Sequence, residues 1–208
     1  EDWDVSNVTN MCLMFRDATA FNQPIGNWDV SKVTDMKGMF ERTESFNQPI
    51  GNWDVTNMTG MINMFCGAKA FNQPIGNWNV SKVTHMQNMF DRASAFNQPI
   101  GNWDVSKVTD MSFMFKGAES FNQPIGNWDV SNVTNMNSMF YNTSFNQPYN
   151  RGFLKHEFND DTGAIADYNI AIRLDPNYAD AYYNRGLSRY LLGDKNGRDR
   201  DFLKAKQL

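Results

Sequence analysis

Six Met-x-x-Met pairs recur at a spacing of 25 residues: Met11/Met14, Met36/Met39, Met61/Met64, Met86/Met89, Met111/Met114 and Met136/Met139. Paired thioethers suit a soft cation such as Cu(I). The same spacing places both side chains on one face of a helical turn, where Met packs adaptably in a core. No Cys or His recurs beside the pairs to complete a soft site, so the core reading is adopted. A second array is Asp4, Asp29, Asp54, Asp104 and Asp129, with Asn79 at the same phase. Calcium needs six or more oxygens, and one carboxylate per repeat supplies too few. Each Asp is better read as capping a local helix. His85 and His156 are the only histidines, and the sequence sets no Ser or Cys beside either as a nucleophile. No phosphate-cradling glycine loop is present. The expectation is no catalysis and no cofactor, with a Cu or Ca array as the weaker alternative.

The elements that carry these residues repeat with the same period. The octet FNQPIGNW stands at 21–28, 46–53, 71–78, 96–103 and 121–128, and every Trp obeys the spacing. A period of 20–50 residues signals units that bury their apolar faces only against neighbours. In the unit 21–45, Phe21-Asn-Gln-Pro-Ile25 reads as a very short strand, because Pro24 gives no ladder donor. Gly26-Asn27 is a turn, and Asp29 and Ser31 are N-cap candidates. Val33, Met36, Met39 and Phe40 then follow at helical spacing. The sequence therefore predicts a short strand and a short helix per unit. Asn22, Gln23 and Asn27, constant from copy to copy, are read as ladders of stacked amides. The phases of Lys32, Asp35, Lys37, Gly38, Glu41, Arg42 and Glu44 vary and are expected to face solvent.

Bulk properties narrow the partners. Nine Lys/Arg and fourteen Asp/Glu give residues 1–148 a charge of −5, while ten and nine give 149–208 a charge of +1. Neither part has the basic stripe that phosphate backbones require, so nucleic acid is not expected. No segment reaches the ~18–20 apolar residues of a membrane span. Cys12 and Cys66 fall at different phases and two repeats apart, too far for a disulfide, which predicts free thiols. The chain opens within a repeat, at Glu1-Asp2-Trp3-Asp4, and is read as a piece of a longer one.

The pattern MF-x-x-A-x-x-FNQPIGNWDVS-x-VT-x-M, present in six units over residues 1–147, resembles the BspA-like leucine-rich surface repeat of bacterial surface proteins and lipoproteins. The resemblance implies a leucine-rich-repeat-like α/β solenoid with an adhesive or binding role at a cell surface. A second self-similarity follows: YNRGFLKHEFNDDTG at Tyr149 returns as YNRGLSRYLLGDKNG at Tyr183, a shift of 34 residues. Gly152, Ala164, Tyr168, Ala171 and Pro176, then Gly186, Phe202 and Ala205, resemble two tetratricopeptide repeats. Arg198 departs from that pattern by standing where a small residue is usual.

The expected fold is therefore an α/β solenoid over 1–147, continued over 148–208 by an all-α helix–turn–helix extension. The resemblance to tetratricopeptide repeats implies a peptide groove near Tyr149, Asn150, Phe153, Tyr183, Asn184 and Leu187. Apolar residues at variable phases, Leu13, Ile62, Phe113 and Tyr141, mark a candidate surface patch. The function read from these features is a non-catalytic protein–protein interaction or adhesion module, with a structural spacer or stalk of a larger surface protein as the alternative. The expected partner is a protein or peptide. The expected location is the cell surface or the secreted fraction, with the cytoplasm as the alternative.

Overall fold

The structure is a computed structural model that describes residues 3–143, 148–174 and 176–208, apart from the side chains of Asn150 and Leu174. The chain forms two compact units, Glu1–Phe145 and Asn146–Leu208, and each is described by itself.

The first unit is a pile of coils, one per repeat: coil 1 (residues 3–20), coil 2 (21–45), coil 3 (46–70), coil 4 (71–95), coil 5 (96–120) and coil 6 (121–143). Among the described residues of this unit there is neither a strand nor a helix, so the α/β solenoid expected from the sequence is overturned. The extended pairing is limited to single parallel bridges, Asn10 to Asp35, Gly60, His85, Asp110 and Asn135 in succession. The reason lies in where the N–H groups point. Met11, Leu13, Phe15 and Asp17 donate to the carbonyls of Asp35, Lys37, Met39 and Glu41 in the next coil at 2.8–2.9 Å. The residues between them, Met14, Arg16 and Ala18, donate three residues back along their own coil. A helix needs every residue right-handed. Here each coil holds two left-handed residues four apart, such as Leu13 and Asp17 or Asn63 and Gly67. The apolar spacing of three and four thus belongs to a series of tight turns.

Left-handed backbone costs most residues about 1–2 kcal/mol relative to glycine. Three of these positions are glycine: Gly38, Gly67 and Gly117. Ser138 holds φ 53° and is exposed. Ser138→Gly is expected to stabilise the chain by up to about 1 kcal/mol, read as a higher thermal midpoint.

The Asp residues expected at helix N-caps close Asx turns instead. Asp29 Oδ1 accepts the Ser31 N–H at 3.0 Å, and Asp4, Asp54, Asp104 and Asp129 repeat the bond with Ser6, Thr56, Ser106 and Ser131. Asn79 makes the same turn with Ser81. The neighbouring hydroxyl and N–H hold all five carboxyls below their ordinary value of 3.8. A carboxyl lowered by folding adds stability that is present above its unfolded pKa and lost as pH falls through the folded value. The coils are therefore expected to loosen progressively below about pH 4. Replacing Asp29, Asp54, Asp104 and Asp129 with Asn, as at position 79, should flatten the dependence of thermal midpoint on pH between about 4 and 2.

The core lies inside the pile. Phe15, Phe40, Phe65, Phe90, Phe115 and Phe140 stack in one column with ring centroids 5.6–5.8 Å apart. Phe21, Phe46, Phe71, Phe96 and Phe121 form a second column beside it. Trp53, Trp78, Trp103 and Trp128 are buried, and each indole N–H donates to the carbonyl of Ile25, Ile50, Ile75 or Ile100 in the preceding coil at 3.1–3.2 Å. The methionines from Met36 to Met114 that form the pairs are buried with them. The Asn22 column is a ladder as expected, since each Asn Oδ1 accepts the backbone N–H of the next Asn at 2.9 Å. Gln73, Gln98 and Gln123 add a second amide bond to the same residues. Asn27 departs from that reading. It stays exposed in a turn closed by Trp28 N–H to the Ile25 carbonyl, a position that suits Asn.

The second unit is helical: α1 (Pro148–Glu157), α2 (Asp161–Leu174), α3 (Ala179–Leu191) and α4 (Lys195–Gln207). Consecutive helices pack on one another. Gly152 lies under the Tyr168 ring and Gly186 under the Phe202 ring, where a Cβ would sit 2.9 and 2.6 Å from ring carbons. Asp160 and Asp194 accept the N–H of Gly163 and Gly197 at the starts of α2 and α4. Arg151 grips buried Asp167 through two nitrogens, and Arg185 grips buried Asp201 in the same register, with 2.8 Å from its Nε. Bidentate pairing with a buried carboxylate explains why Arg stands in this register. Arg198 fits by laying its guanidinium over the Tyr190 ring, 5.2 Å from the centroid.

Candidate functional site

The outer surface of the coils carries charge at the phases that follow the Met-Phe pair. In coils 1 to 3 these charges pair with one another. Arg16 meets Asp17 and Glu41, Arg42 meets Asp17, and Lys69 meets Glu44 at 2.8 Å. Farther along, the same strip opens into a groove of about 460 Å³ across coils 3 to 6. It is lined by Lys69, Arg92, Ser94, Lys116, Glu119 and Tyr141, with Gly117 and Asn142 completing it. Gly117 has φ 68°, and a Cβ there would lie 3.2 Å from Arg92 Cγ. The glycine thus provides a shelf for the Arg92 stem. Lys116 Nζ sits 5.2 Å over the Phe113 ring. Among the described residues, neither Arg92 nor Lys116 forms an ion pair within 4 Å. Asp91 lies close by, and its burial raises the carboxyl above the ordinary value against the pull of Arg92 and Lys116.

This groove gathers part of the expected surface patch. Tyr141, 66 % exposed, lines it, and Phe113 joins through Lys116. Leu13 does not belong to it. It lies four coils from Phe113 and packs over Gly38 of coil 2. Ile62, half-buried in coil 3, lines no part of the groove. Sequence reading missed Lys69, Arg92, Lys116 and Glu119. The available signal was cations at neighbouring variable phases in three consecutive coils.

The helical candidates separate as well. Asn184 Nδ2 donates to Tyr149 Oη at 2.8 Å, and the Tyr149 ring packs 4.6 Å from Tyr178. These two residues therefore hold α3 against α1. Burial raises the Tyr149 phenol pKa. Tyr183 turns to the other side, 5.2 Å from Phe202. Phe153 and Leu187 are half-buried. The side chain of Asn150 lies outside the described residues.

One polar cluster was invisible in the sequence. His156 Nδ1 lies 2.6 Å from Asp161 Oδ1 and 3.0 Å from Ser188 Oγ, although Ser188 is 32 residues away. The residue types are those of a hydrolytic triad. In a working triad, however, Ser faces one ring nitrogen and Asp the other. Here both converge on Nδ1, and Ser188 is fully buried, so the cluster ties α1, α2 and α3 together. The cysteines carry free thiols. Burial, together with Asp91 and Glu41, pushes the Cys66 thiol up to about 11, which suppresses the thiolate needed for reactivity.

Comparison with known proteins matches two families. Residues 1–95 and 73–162 match the family described as Mycoplasma protein of unknown function, DUF285, and residues 149–193 match the TPR repeat. Comparison with curated proteins and with solved structures gave no match. Repeat domains of these two kinds point to a protein–protein interaction module with protein partners. No helix of the described residues is long and apolar enough to cross a membrane. With matches that cover its first 162 residues, the chain belongs to the DUF285 family.

Proposed function

We propose that the chain is a non-catalytic adapter that holds a partner protein in the groove across coils 3 to 6. The observation that carries this reading is the contrast along one strip of surface. The same phases are closed by mutual ion pairs from Arg16 as far as Lys69, and beyond Lys69 they line an open groove that carries Arg92, Lys116 and the exposed Tyr141. The coil-to-coil hydrogen bonds keep the backbone constant, so side chains at the variable phases can change without cost to the fold. Tyr and Arg are the residue types enriched where binding energy concentrates.

A photo-crosslinking residue placed at Ser94, in the groove, tests the proposal. Exposed to the proteins of the source cell, it should yield a discrete protein adduct that is lost in Arg92→Ala/Lys116→Ala. The same residue at exposed Asp54 should yield none. Equal labelling at both positions, or no adduct at Ser94, would leave the spacer reading in its place. The non-catalytic part has its own test. A serine-directed fluorophosphonate should leave Ser188 unmodified, because the shared nitrogen provides no separate base for its hydroxyl. The proposal also places the chain at the cell surface or in the secreted fraction, on its resemblance to surface repeats. Protease treatment of intact cells should then cleave it.

A further inference from the structure

Asp17, Arg42, Gly67, Arg92, Gly117 and Asn142 occupy the same left-handed turn position in successive coils, with φ between 55° and 71°. The column contains the same arginine twice. Each lays its stem across the glycine of the next coil: a Cβ at Gly67 would lie 3.3 Å from Arg42 Cγ, and one at Gly117 3.2 Å from Arg92 Cγ. What differs is the coil before. Arg42 meets Asp17 there, with Nη1 3.3 Å from Oδ1. Arg92 has Gly67 in that place, and glycine offers no side chain.

Among the described residues no carboxylate comes within 4.0 Å of Arg92, although Asp91 and Glu119 are close in sequence and in the stack. Glycine on either side leaves Arg92 exposed, at the edge of the groove of about 460 Å³. Lys116, one coil on, is also without an ion pair, and its Nζ rests 5.2 Å over the Phe113 ring. The groove therefore holds two cations whose internal partner is missing, and the Arg42–Asp17 pair shows what such a partner looks like.

We propose that the groove takes an acidic segment of the partner protein. One carboxylate sits against Arg92 as Asp17 sits against Arg42, and a second meets Lys116. This inference rests on the groove being the binding surface and adds the chemistry that it selects. The guanidinium fork matches a carboxylate in shape as well as charge. A phosphate backbone is a poorer occupant. Residues 1–148 carry a net charge of −5, and Glu119 lines the groove, so a long run of phosphates meets repulsion beyond these two cations. A short Asp/Glu segment needs only the two, and its flanking residues find the exposed Tyr141 ring in the same groove.

The test titrates the whole chain at low ionic strength with a rhodamine-labelled hexaglutamate peptide, followed by anisotropy. Saturable binding that weakens with added salt is expected, and hexalysine should not bind. Arg92→Ala should weaken hexaglutamate about tenfold, the weight of a charge-assisted hydrogen bond. Gly67→Asp should weaken it to a similar extent, because it restores in cis the carboxylate that Arg42 already has. Asp suits this backbone, since Asp17 holds φ 59° in the same column. Gly67→Asn carries the same stem without the charge and should bind within about twofold of the parent. Thermal melts of the variants establish that the coils remain folded. No binding to the parent, or binding unchanged by Arg92→Ala or Gly67→Asp, would overturn the proposal. An equal loss in Gly67→Asn and Gly67→Asp would also overturn it, because the glycine itself would then be what matters. Tighter binding of a labelled oligothymidylate than of hexaglutamate would assign the cations to nucleic acid instead. A protein adduct at Ser94 without hexaglutamate binding would keep the groove as the binding surface and remove its acidic preference. Hexaglutamate binding that responds to Gly67→Asp, without an adduct at Ser94, would support the preference and remove the adapter reading.

Discussion

Trp78→Ala is expected to destabilise the coil unit by about 3–5 kcal/mol, the range for a buried aromatic truncated in a core. Trp78 is 4 % exposed, its ring lies 6.2 Å from that of Phe65 in the coil before, and its indole N–H donates to the Ile50 carbonyl at 3.2 Å. Truncation opens a cavity between two coils and leaves a buried carbonyl without that donor. The second effect alone is worth about 1–3 kcal/mol, which places the variant toward the upper end. Trp78→Phe separates the two contributions, because it keeps most of the ring and removes the donor. It should cost about 1–3 kcal/mol. Trp3 belongs to the same sequence column but is 62 % exposed, so Trp3→Ala should fall within about 0.5 kcal/mol of the parent. Urea midpoints for the three variants provide the measurement. A Trp78→Ala midpoint equal to that of the parent would show that the indole column does not hold the coils together.

Gly76→Ala adds a single methyl group, yet it is expected to cost about 3 kcal/mol, the upper part of the range for overpacking. A Cβ at Gly76 would fall well inside contact distance of the Pro99 carbonyl oxygen in coil 5. The obstacle is backbone, so no side-chain rotation relieves it. The same approach joins Gly26 to Pro49, Gly51 to Pro74 and Gly101 to Pro124. The glycine of FNQPIGNW is therefore required by the distance between coils. Gly60 is the control. Nothing lies within 4 Å of a Cβ built there, and Gly60→Ala should be neutral or stabilising by up to about 1 kcal/mol through the unfolded chain. If the two variants melted together, the close approach would carry no energetic weight.

Those two glycines also mark how far the sequence could be read. The constancy of Gly76 against the drift of Gly60 was visible in the repeats, and it separates a crowded position from an open one. Why Gly76 is crowded was not visible, since Pro99 is 23 residues away and meets it only when coils pile up. The Asn22 ladder was legible, because identical amides one period apart have an obvious partner in each other. The Asn27 column looked the same on paper and turned out to be an exposed turn residue. In the helical unit, the 34-residue register marked Gly152 with Gly186 and Tyr168 with Phe202 as equivalent positions, and the structure shows that each glycine lies under the aromatic ring of its own repeat. The register did not mark the meeting of Ser188 with His156 and Asp161, because it joins three helices at positions no repeat relates.

By itself the sequence determined the two periods, the identity of the buried columns and the change of architecture near residue 148. These are properties of pattern, because apolar side chains that recur in register must meet their own copies. Only the tertiary structure decided what the backbone does between them. An apolar spacing of three and four is equally compatible with one face of a helix and with consecutive tight turns. What separates the two is the acceptor of each N–H. Met11, Leu13, Phe15 and Asp17 find theirs in the next coil, and a carbonyl more than twenty residues away along the chain is outside the reach of any local rule.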